Sequence, residues 1–474
     1  MNAPNVIDHS MRLLIPHVIK GETQIAAEVE HNSRATQELV MTPQLNLDTL
    51  IWRRQEAGPA FETPIAEIVD FLAAVGEALD FDRNIYLQEA MEQNARMGTL
   101  SARILENSYR DIATFFTREA VTAEAVGSFG SLDALDGWHR RDIRGVPTDI
   151  RAYPPRMVHI LAGNAPVVPP ITIVRGALSK GVHLLKMPSN DMFTASALLR
   201  TMADVDPDHP TTRSFSAAYW RGGDEAIEGH IYRSQYYDKL AVWGGDAAVR
   251  HAMKYAAPGF EIISFDPKVS ISLIGREAHK DEATLADVAT RAAADVLAFN
   301  QDACACARFQ FVEGTDEEID TFCRVLQREM GKDTRYGDGP NGPVPPKEAV
   351  DELDMLDMLD MLAPLYQVYG KADGSGLVVR STEPVGFSPS GKVINVVQVE
   401  SLTDALPHVT VATQTCGVYP LERSVKLRDA LTGAGVQRVV RLGGHLGGAF
   451  GGLPHDGGWP LHRMMHWVSC DTAR

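Results

Sequence analysis

Short apolar runs alternate with amphipathic stretches between residues 156 and 245. RMVHILAG (156–163), VHLLKMP (182–188) and DKLAVWGG (238–245) each stop at glycine or proline, which is typical of buried strands. The stretches between the first runs, ITIVRGALSKG (171–181) and FTASALLRTMADV (193–205), have the apolar spacing of helices. Strands and helices in alternation predict a parallel sheet covered on both faces.

The pattern changes on either side of this region. Residues 1 to about 130 are predicted to be mostly helical, and IAEIVDFLAAVGEAL (65–79) carries the clearest apolar stripe. From about residue 269 a second alternation begins, with the helix TLADVATRAAADVLAF between two apolar runs. Half of residues 443–458 are glycine, but the apolar side chains among them favour a closely packed loop over a flexible linker.

Two domains are expected because 474 residues are too many for one ordinary core. The predicted fold class is α/β. A helical N-terminal region and a Rossmann-like domain would occupy residues 1–265, and a second α/β domain residues 266–445. Residues 446–474 are expected to form a C-terminal tail that bridges or covers.

Composition narrows the classes of function. The formal net charge of −17 excludes nucleic acid as a partner, because phosphate contacts dominate such binding. No apolar run approaches the roughly 18 residues of a membrane span, and the first residues lack a signal pattern, so a cytoplasmic protein is expected. An odd number of cysteines, five, argues against a disulfide framework. Cys304 and Cys306 have no second pair or spaced histidine, so no metal site is predicted.

Candidate chemistry begins at FNQDACACARFQFV (299–312), where a predicted helix ends and Cys304 lies among small residues before a strand. A thiolate there would be a nucleophile suited to thioesters. The alternative is a pair of buried structural cysteines, the commonest fate of this residue type. No adjacent histidine or lysine lowers the thiol pKa, so activation would come from backbone dipoles or residues distant in sequence.

Three other turns follow predicted strands. Asn164 stands where its amide would face a developing oxyanion, although an ordinary turn residue is the alternative. Lys186 ends a strand and would bind a ribose or a phosphate, unless it is a solvated surface lysine. Gly244 and Gly245 would let a phosphate approach a helix N-terminus. None of these segments matches the dinucleotide fingerprint G-x-G-x-x-G.

In combination these segments resemble the aldehyde dehydrogenase superfamily, in particular its acyl-CoA and acyl-protein reductase branch (LuxC-like). The carrying motifs are HILAGNAP, RGALSKGVHLLKMPSNDMFT, AVWGGDAAV, ISFDPKVS, NQDACACA and HDGGWPL. The resemblance covers about residue 156 to the C-terminus. It implies an aldehyde-dehydrogenase-like fold, with a cofactor domain followed by a catalytic domain.

The resemblance also implies residue roles. Cys304, in the pattern Gln-x-Ala-Cys, takes the place of the nucleophile, and Cys306 is the fallback. Asn164 takes the place of the asparagine that helps to bind the oxyanion. The positions implied to contact the cofactor are Leu161, Lys186, Ser189, Gly244 and Gly245.

One departure from the hydrolytic branch is informative. Hydrolytic members carry a glutamate that activates water, and Ser264 stands at that position here. A serine does not act as that base at neutral pH, although Asp266 lies close in sequence. The acyl-enzyme would therefore exchange with a thiol carrier.

The resulting prediction is reduction of a fatty-acyl thioester to an aldehyde through a cysteine acyl-enzyme. The substrate would be acyl-CoA or an acyl carrier, with CoA as a leaving group, and a homo-oligomer is expected. NADPH is the cofactor that the resemblance implies, with NADH as the other candidate. The rivals are an NAD-dependent aldehyde dehydrogenase that makes acids with water, and a catalytically idle scaffold of the same fold.

Overall fold

The computed structural model describes residues 13–32, 39–360, 366–447 and 451–471, with the backbone alone for 356–360. The chain divides into two compact units. The first comprises Met1–Phe265 with Gly458–Arg474, and the second comprises Asp266–Gly457. Within the described residues, no helix is both long enough and apolar enough to cross a membrane.

A seven-stranded sheet forms the centre of the first unit. Its strands lie in the order Glu261–Phe265, Lys239–Trp243, Arg156–Ile160, Val182–Lys186, Phe215–Ala218, His17–Ile19 and Glu22–Gln24. The first five are parallel and the last two antiparallel. From Arg156–Ile160 the chain builds two strands on one side and then two on the other. Such a reversal leaves a crevice at the carboxyl ends of the parallel strands, where ligands bind in folds of this kind.

Helices and short 3-10 turns complete the first unit. The α-helices are Leu47–Leu50, Ile65–Ala78, Ile85–Met97, Ala102–Asp111, Arg118–Phe129, Val168–Leu178, Thr194–Val205, Pro210–Arg213, Glu225–Ile231, Asp246–Met253 and Pro460–Met464. The 3-10 turns are Ile112–Phe116 and Asp133–Leu135. Every residue of Val168–Leu178 is buried, so this helix belongs to the interior. Its position directly after the strand Arg156–Ile160 confirms the predicted strand–turn–helix order around Asn164.

The N-terminal region departs from the prediction. The helical prediction is confirmed by helices such as Ile65–Ala78 and Ile85–Met97, but it is wrong for residues 13–32 and 39–42, the described residues before position 43. There the chain forms strands instead, which are Leu13–Leu14, His17–Ile19, Glu22–Gln24, Val29–Asn32 and Leu39–Thr42. Strands of two to four residues are too short to show a two-residue period, and pairing with distant strands decides their conformation.

Two small sheets lie beside the main sheet of the first unit. One has the strand order Leu13–Leu14, Leu39–Thr42 and Val29–Asn32. The other is antiparallel and consists of His466–Asp471, Val146–Tyr153 and His139–Ile143. The last of these sheets ties the end of the described chain to the first unit.

The second unit contains another seven-stranded sheet. The strand order is Tyr366–Gly370, Leu377–Ser381, Val393–Val399, Ala307–Glu313, Val269–Ile274, Thr413–Tyr419 and Arg438–Arg441, and only the first is antiparallel. The α-helices are Glu282–Leu297, Asp316–Met330, Lys347–Asp360 and Ser424–Ala434. The 3-10 turns are Arg276–His279, Ala298–Gln301, Leu402–His408 and Leu421–Arg423.

The core of the second unit lies on both faces of its sheet. Glu282–Leu297 buries mainly alanine, valine and leucine side chains on one face, against Ile274 and Val312, and Asp316–Met330 adds larger apolar side chains such as Phe322. A second cluster around Phe311 fills the other face. In residues 443–458, of which 448–450 lie outside the described residues, His445 and Gly452 are buried, but Leu453 is 45% exposed, so the predicted close packing is present in only part of the loop.

Candidate active site

The backbone just before Cys304 adopts an unusual conformation. Phe299, Asn300 and Gln301 have φ values of 49°, 53° and 69°, so three successive residues are left-handed. Each such non-glycine residue costs about 1–2 kcal/mol. Conformations of this kind persist only where the surroundings over-determine them, and they concentrate at functional sites.

Side-chain hydrogen bonds supply that restraint. The Asn300 amide donates to Asp338 Oδ2 at 3.0 Å, and Asp338 N donates back to Asn300 Oδ1 at 2.9 Å. Gln301 Nε2 donates to the carbonyls of Ala307 and Val393 at 3.0 and 2.7 Å. Val393 N returns a hydrogen bond to Gln301 Oε1 at 3.1 Å. The segment that leads to Cys304 is therefore fixed by the next strand and by residues far along the chain.

The Cys304 thiol is surrounded by both favourable and unfavourable groups. The residue is exposed, yet the pKa of its thiol is raised, first because nearby atoms remove water from the sulfur and then because Asp456 is negative. The Gln414 amide and the backbone N–H groups of Cys304 and Ala305 hydrogen-bond the sulfur and lower the pKa. The sequence analysis expected activation of the thiol by backbone groups or by residues distant in sequence, and these donors are of that kind. Their effect on the pKa is smaller than the combined effect of desolvation and Asp456, so the pKa remains raised.

Gln414 contacts both the Cys304 sulfur and Asp456. Its Nε2 also donates to Asp456 Oδ1 at 2.9 Å. Gln414 lies at the start of the strand Thr413–Tyr419 and Asp456 in the glycine-rich loop, so neither is near Cys304 in sequence. The sequence analysis assigned no role to either residue, although Asp456 lies in the motif HDGGWPL (455–461).

Cys306 has a different environment from Cys304. It is fully buried, and its Sγ donates to the carbonyl of Ala298 at 3.0 Å. Burial raises the pKa of this thiol to about 12. The structural interpretation suits Cys306, and this geometry disfavours Cys306 as the fallback nucleophile.

The backbone around Cys304 is anchored from Ser270. The buried Ser270 hydroxyl donates to the carbonyl of Cys304 at 3.0 Å and accepts from Thr415 N at 3.2 Å. Ser270 N donates to the carbonyl of Cys306 at 3.3 Å. Three adjacent strands of the second unit thus hold the turn at their amino ends.

In the first unit, Asn164 lies in the turn between the strand Arg156–Ile160 and the helix Val168–Leu178, where it is half-buried. Leu161 is buried just after the same strand, and its N–H donates to the carbonyl of Lys186 at 3.1 Å. A Cβ at Gly163 would overlap the amide group of Asn190, so a larger residue would displace that side chain.

Lys186 is the last residue of its strand and is 8% exposed, so the interpretation as a solvated surface lysine is wrong. Its Nζ lies 5.6 Å from the centroid of the Tyr219 ring. A Cβ placed on Gly222 would be in ordinary van der Waals contact with the same nitrogen, at 4.0 Å. Ser189 is half-buried in the turn that follows.

Gly244 and Gly245 lack a side chain for different structural reasons. A Cβ at Gly244 would lie 3.1 Å from Ala248 Cβ, tighter than most real contacts. A Cβ at Gly245 would meet nothing within 4 Å, so this residue leaves the N-terminus of the helix Asp246–Met253 open. The arrangement fits a phosphate-bearing ligand, because helix N-termini favour negative charge.

The predicted cofactor positions thus share one edge of the first sheet. Leu161 and Gly244 directly follow parallel strands, and Lys186 ends one. These three strands are neighbours in the sheet, at the place where the strand order reverses. This edge is where folds of this type bind dinucleotides. The residues present therefore fit a nicotinamide dinucleotide.

Ser264 and Asp266 lie at the end of the same sheet. Ser264 is half-buried within the strand Glu261–Phe265, and Asp266 is exposed just beyond it. The carbonyl of Ser264 accepts a 3.5 Å hydrogen bond from Arg463. Position 264 therefore offers a hydroxyl where the hydrolytic branch has a carboxylate.

Comparison with known proteins identifies the family. The model of the family described as Acyl-CoA reductase (LuxC) matches residues 60–467. The chain belongs to this family. It is 30% identical over 415 residues to the long-chain acyl-protein thioester reductase of Aliivibrio fischeri, covering 85% of this chain and 81% of that protein. The resemblance inferred from the motifs is confirmed.

Solved structures agree on the fold. An oxidoreductase from Marinobacter aquaeolei aligns with a TM-score of 0.72 at 13% identity, covering 99% of this chain and 100% of that one. The NADP-dependent glyceraldehyde-3-phosphate dehydrogenase from Bacillus halodurans C-125, complexed with NADP, gives 0.69 at 14% identity, with 98% and 100% covered. The predicted aldehyde-dehydrogenase-like α/β fold is confirmed, and this LuxC-family protein is an oxidoreductase by family.

Proposed function

We propose that this LuxC-family protein reduces a long-chain acyl thioester to the aldehyde, with Cys304 carrying the acyl group. The environment of Cys304 supports this proposal most directly. The thiol is exposed on a restrained left-handed segment, and amide donors converge on its sulfur. A scaffold without activity would not need three consecutive strained residues at this place.

The covalent step follows from thiol chemistry. The Cys304 sulfur attacks the thioester carbonyl carbon, and a new carbon–sulfur bond forms as the bond to the carrier sulfur breaks. The carrier leaves as a thiolate and takes up the proton that Cys304 has lost. The raised pKa means that the thiolate needs stabilisation as it forms. The donors from Gln414 and Ala305 would supply it, because a hydrogen bond to a charged sulfur is stronger than one to a neutral thiol.

The second step releases the aldehyde. A nicotinamide cofactor, held by Lys186, Ser189, Gly244 and Gly245 of the first unit, would supply a hydride to the acyl carbon. The bond to Cys304 then breaks, the aldehyde leaves, and the sulfur returns as a thiolate that regains a proton. By the family resemblance, Asn164 donates its amide to the oxyanion of both tetrahedral species.

We assign cofactor binding to the first unit and acyl transfer to the second. Lys186 and Ser189 would hold the adenosine ribose, and Gly244 and Gly245 would admit the pyrophosphate at the helix N-terminus. Leu161 would lie beside the cofactor at the end of its strand. NADPH is the proposed cofactor. The open space beside Gly245, at the N-terminus of the helix Asp246–Met253, supports the assignment.

The identity of the carrier thiol, CoA or a protein, is tested by assaying two substrates. The relative from Aliivibrio fischeri is named for an acyl-protein thioester, whereas the family description names acyl-CoA. Palmitoyl-CoA and a palmitoylated carrier protein should therefore be supplied separately, with NADPH or NADH. Fatty aldehyde measured by mass spectrometry is the expected product, and its absence in all four combinations contradicts the proposal.

Water should be a poor acceptor of the acyl group. Ser264 provides no carboxylate to deprotonate water near neutral pH, so the acyl-enzyme should persist until a hydride or a thiol arrives. With fatty aldehyde and oxidised cofactor, free acid should form slowly, and added carrier thiol should raise the rate of aldehyde oxidation. Ser264→Glu should increase acid formation, and Ser264→Ala is the matched control. Rapid, thiol-independent acid formation by the unaltered protein would make the hydrolytic function the better assignment.

Lys186 should contribute to cofactor affinity. Lys186→Met should raise the Kd for NADPH by about tenfold to a hundredfold, because a charged donor is worth about 1.5–3 kcal/mol. Nicotinamide fluorescence measures this Kd without turnover. Lys239→Met is the control, since Lys239 is also buried but begins its strand and donates to the Arg463 carbonyl at 2.6 Å. An unchanged Kd for Lys186→Met would remove this residue from the cofactor site.

A further inference from the structure

A buried ionisable pair lies behind the turn that carries Cys304. Asp295 is in the last turn of the helix Glu282–Leu297 and is 2% exposed, and His445 is 1% exposed in the glycine-rich loop. Asp295 Oδ1 accepts a hydrogen bond from His445 N at 3.1 Å. Its Oδ2 accepts one from Gly443 N at 2.8 Å. The carboxylate therefore fixes the backbone that presents the imidazole.

The imidazole in turn contacts the nucleophile turn. His445 Nδ1 lies 2.7 Å from the carbonyl oxygen of Ala305. A carbonyl oxygen only accepts, so Nδ1 must carry the proton. The other ring nitrogen, Nε2, is 3.4 Å from Asp295 Oδ2 and has no hydrogen-bond partner among the described residues, so the carboxylate lies beside the ring without a hydrogen bond to it. The proton on Nδ1 is thus directed at the residue next to Cys304.

The neighbouring strand is shaped around this pair. A Cβ at Gly417 would lie 2.7 Å from His445 Nε2 and 2.9 Å from Asp295 Oδ2, so no larger residue fits there. Gly417 belongs to the strand Thr413–Tyr419, which also carries the Gln414 amide that hydrogen-bonds the Cys304 sulfur. The pair and the thiol therefore share one supporting strand.

Three successive carbonyl groups of the turn, those of residues 304–306, accept hydrogen bonds from Ser270 and His445. The carbonyl of Cys304 accepts from the Ser270 hydroxyl at 3.0 Å, that of Ala305 from His445, and that of Cys306 from Ser270 N at 3.3 Å. In a trans peptide the N–H group points opposite to the carbonyl. With the carbonyl of Cys304 held, the N–H group of Ala305 is free to face the sulfur, to which it donates.

We infer that Asp295 and His445 form a positioning pair that holds the Ala305 carbonyl and so aims the Cys304 thiol and its backbone donors. The inference deepens the proposed function and rests on it in one respect, the role of Cys304 as the nucleophile. Neither residue needs to touch the substrate. Their effect passes through the peptide between Ala305 and Cys306.

His445→Phe and His445→Asn separate positioning from packing. Phenylalanine fills the space but has no donor, so the acylation rate of Cys304 by palmitoyl-CoA should fall about a hundredfold, the usual cost of a misplaced reacting group. Asparagine returns an N–H donor near the Nδ1 position and should restore acylation to within about tenfold of the unaltered protein. Acylation is measured by mass spectrometry of the intact chain, without cofactor.

Iodoacetamide labelling gives a readout that is independent of acyl transfer. His445→Phe should slow the labelling of Cys304 about tenfold, because loss of the amide donors to the sulfur would raise the pKa of the thiol further. His445→Asn should recover most of that rate. Cys470 is exposed on the strand His466–Asp471 and serves as the internal control, with an unchanged labelling rate in every variant.

Asp295→Asn covers the case in which His445→Phe does not fold. The amide keeps the shape of the carboxyl group but, with its nitrogen toward Gly443 N, loses one acceptor, so Cys304 acylation should fall about tenfold. Equal Cys304 labelling and acylation in folded His445→Phe, His445→Asn and unaltered protein would overturn the inference. Altered labelling of Cys304 without acylation in any form would support the positioning pair and contradict the proposed function.

Discussion

Replacing Cys304 with alanine should abolish acylation of the protein and reduce aldehyde formation by about four orders of magnitude or more. Losses of this size follow the removal of a catalytic nucleophile, because the whole covalent route disappears with it. Cofactor binding should be unaffected, since the proposed cofactor residues belong to the other unit. Intact-mass measurement after incubation with palmitoyl-CoA gives acylation, and nicotinamide fluorescence gives the Kd for NADPH.

Matched cysteine variants test the assignment within one chain. Cys470→Ala removes the other exposed cysteine and should change neither acylation nor turnover. In the unaltered protein the acyl group should be found on the Cys304 peptide. An adduct on Cys306 with Cys304 free would contradict the assignment, despite the buried position of Cys306 and its hydrogen bond to Ala298.

Replacing Asn164 with alanine should lower turnover by roughly a hundred- to a thousandfold. One donor to a developing oxyanion is typically worth that much, because it acts where charge appears in the transition state. The fall should be in kcat, with little change in the Kd for NADPH. Single-turnover aldehyde formation under saturating thioester measures it directly.

Asn164→Asp distinguishes an oxyanion donor from a turn residue. Aspartate suits turns about as well as asparagine, so a purely conformational role predicts nearly normal turnover. A donor role predicts a loss at least as large as that of Asn164→Ala, because a carboxylate would face the oxyanion. Near-normal kcat in Asn164→Asp would show that position 164 serves only the turn between the strand Arg156–Ile160 and the helix Val168–Leu178.

The sequence predicted those structural features that a single short segment determines. Three parallel strands of the first unit, Arg156–Ile160, Val182–Lys186 and Lys239–Trp243, were predicted from apolar runs that stop at glycine or proline, and the turns after them from the same signals. The parallel strand Phe215–Ala218 was not predicted. Family motifs added the fold and the position of Cys304. These features depend on neighbours within about ten residues, and their signals survive in a single chain.

Other features depend on residues that are distant in sequence. The left-handed conformation at Phe299 was not predicted, because these side chains do not favour it and only the folded surroundings impose it. Gln414 and Asp456 reach the sulfur from another strand and from a loop, and His445 reaches Ala305 across 140 positions. Periodicity and spacing report local structure, so they do not detect such contacts.

The left-handed segment before Cys304 also bears on the order of synthesis on the ribosome. Its restraints come from Asp338 and Val393, which leave the ribosome after Cys304 itself. Until those residues emerge, Gln301 has only the nearby carbonyl of Ala307 as a partner, and the nascent chain would relax there toward ordinary backbone angles. We therefore expect that a ribosome-bound chain ending before residue 393 exposes a cysteine of ordinary reactivity, and that the thiol meets acyl donors in its aimed position only after most of the second unit has been made.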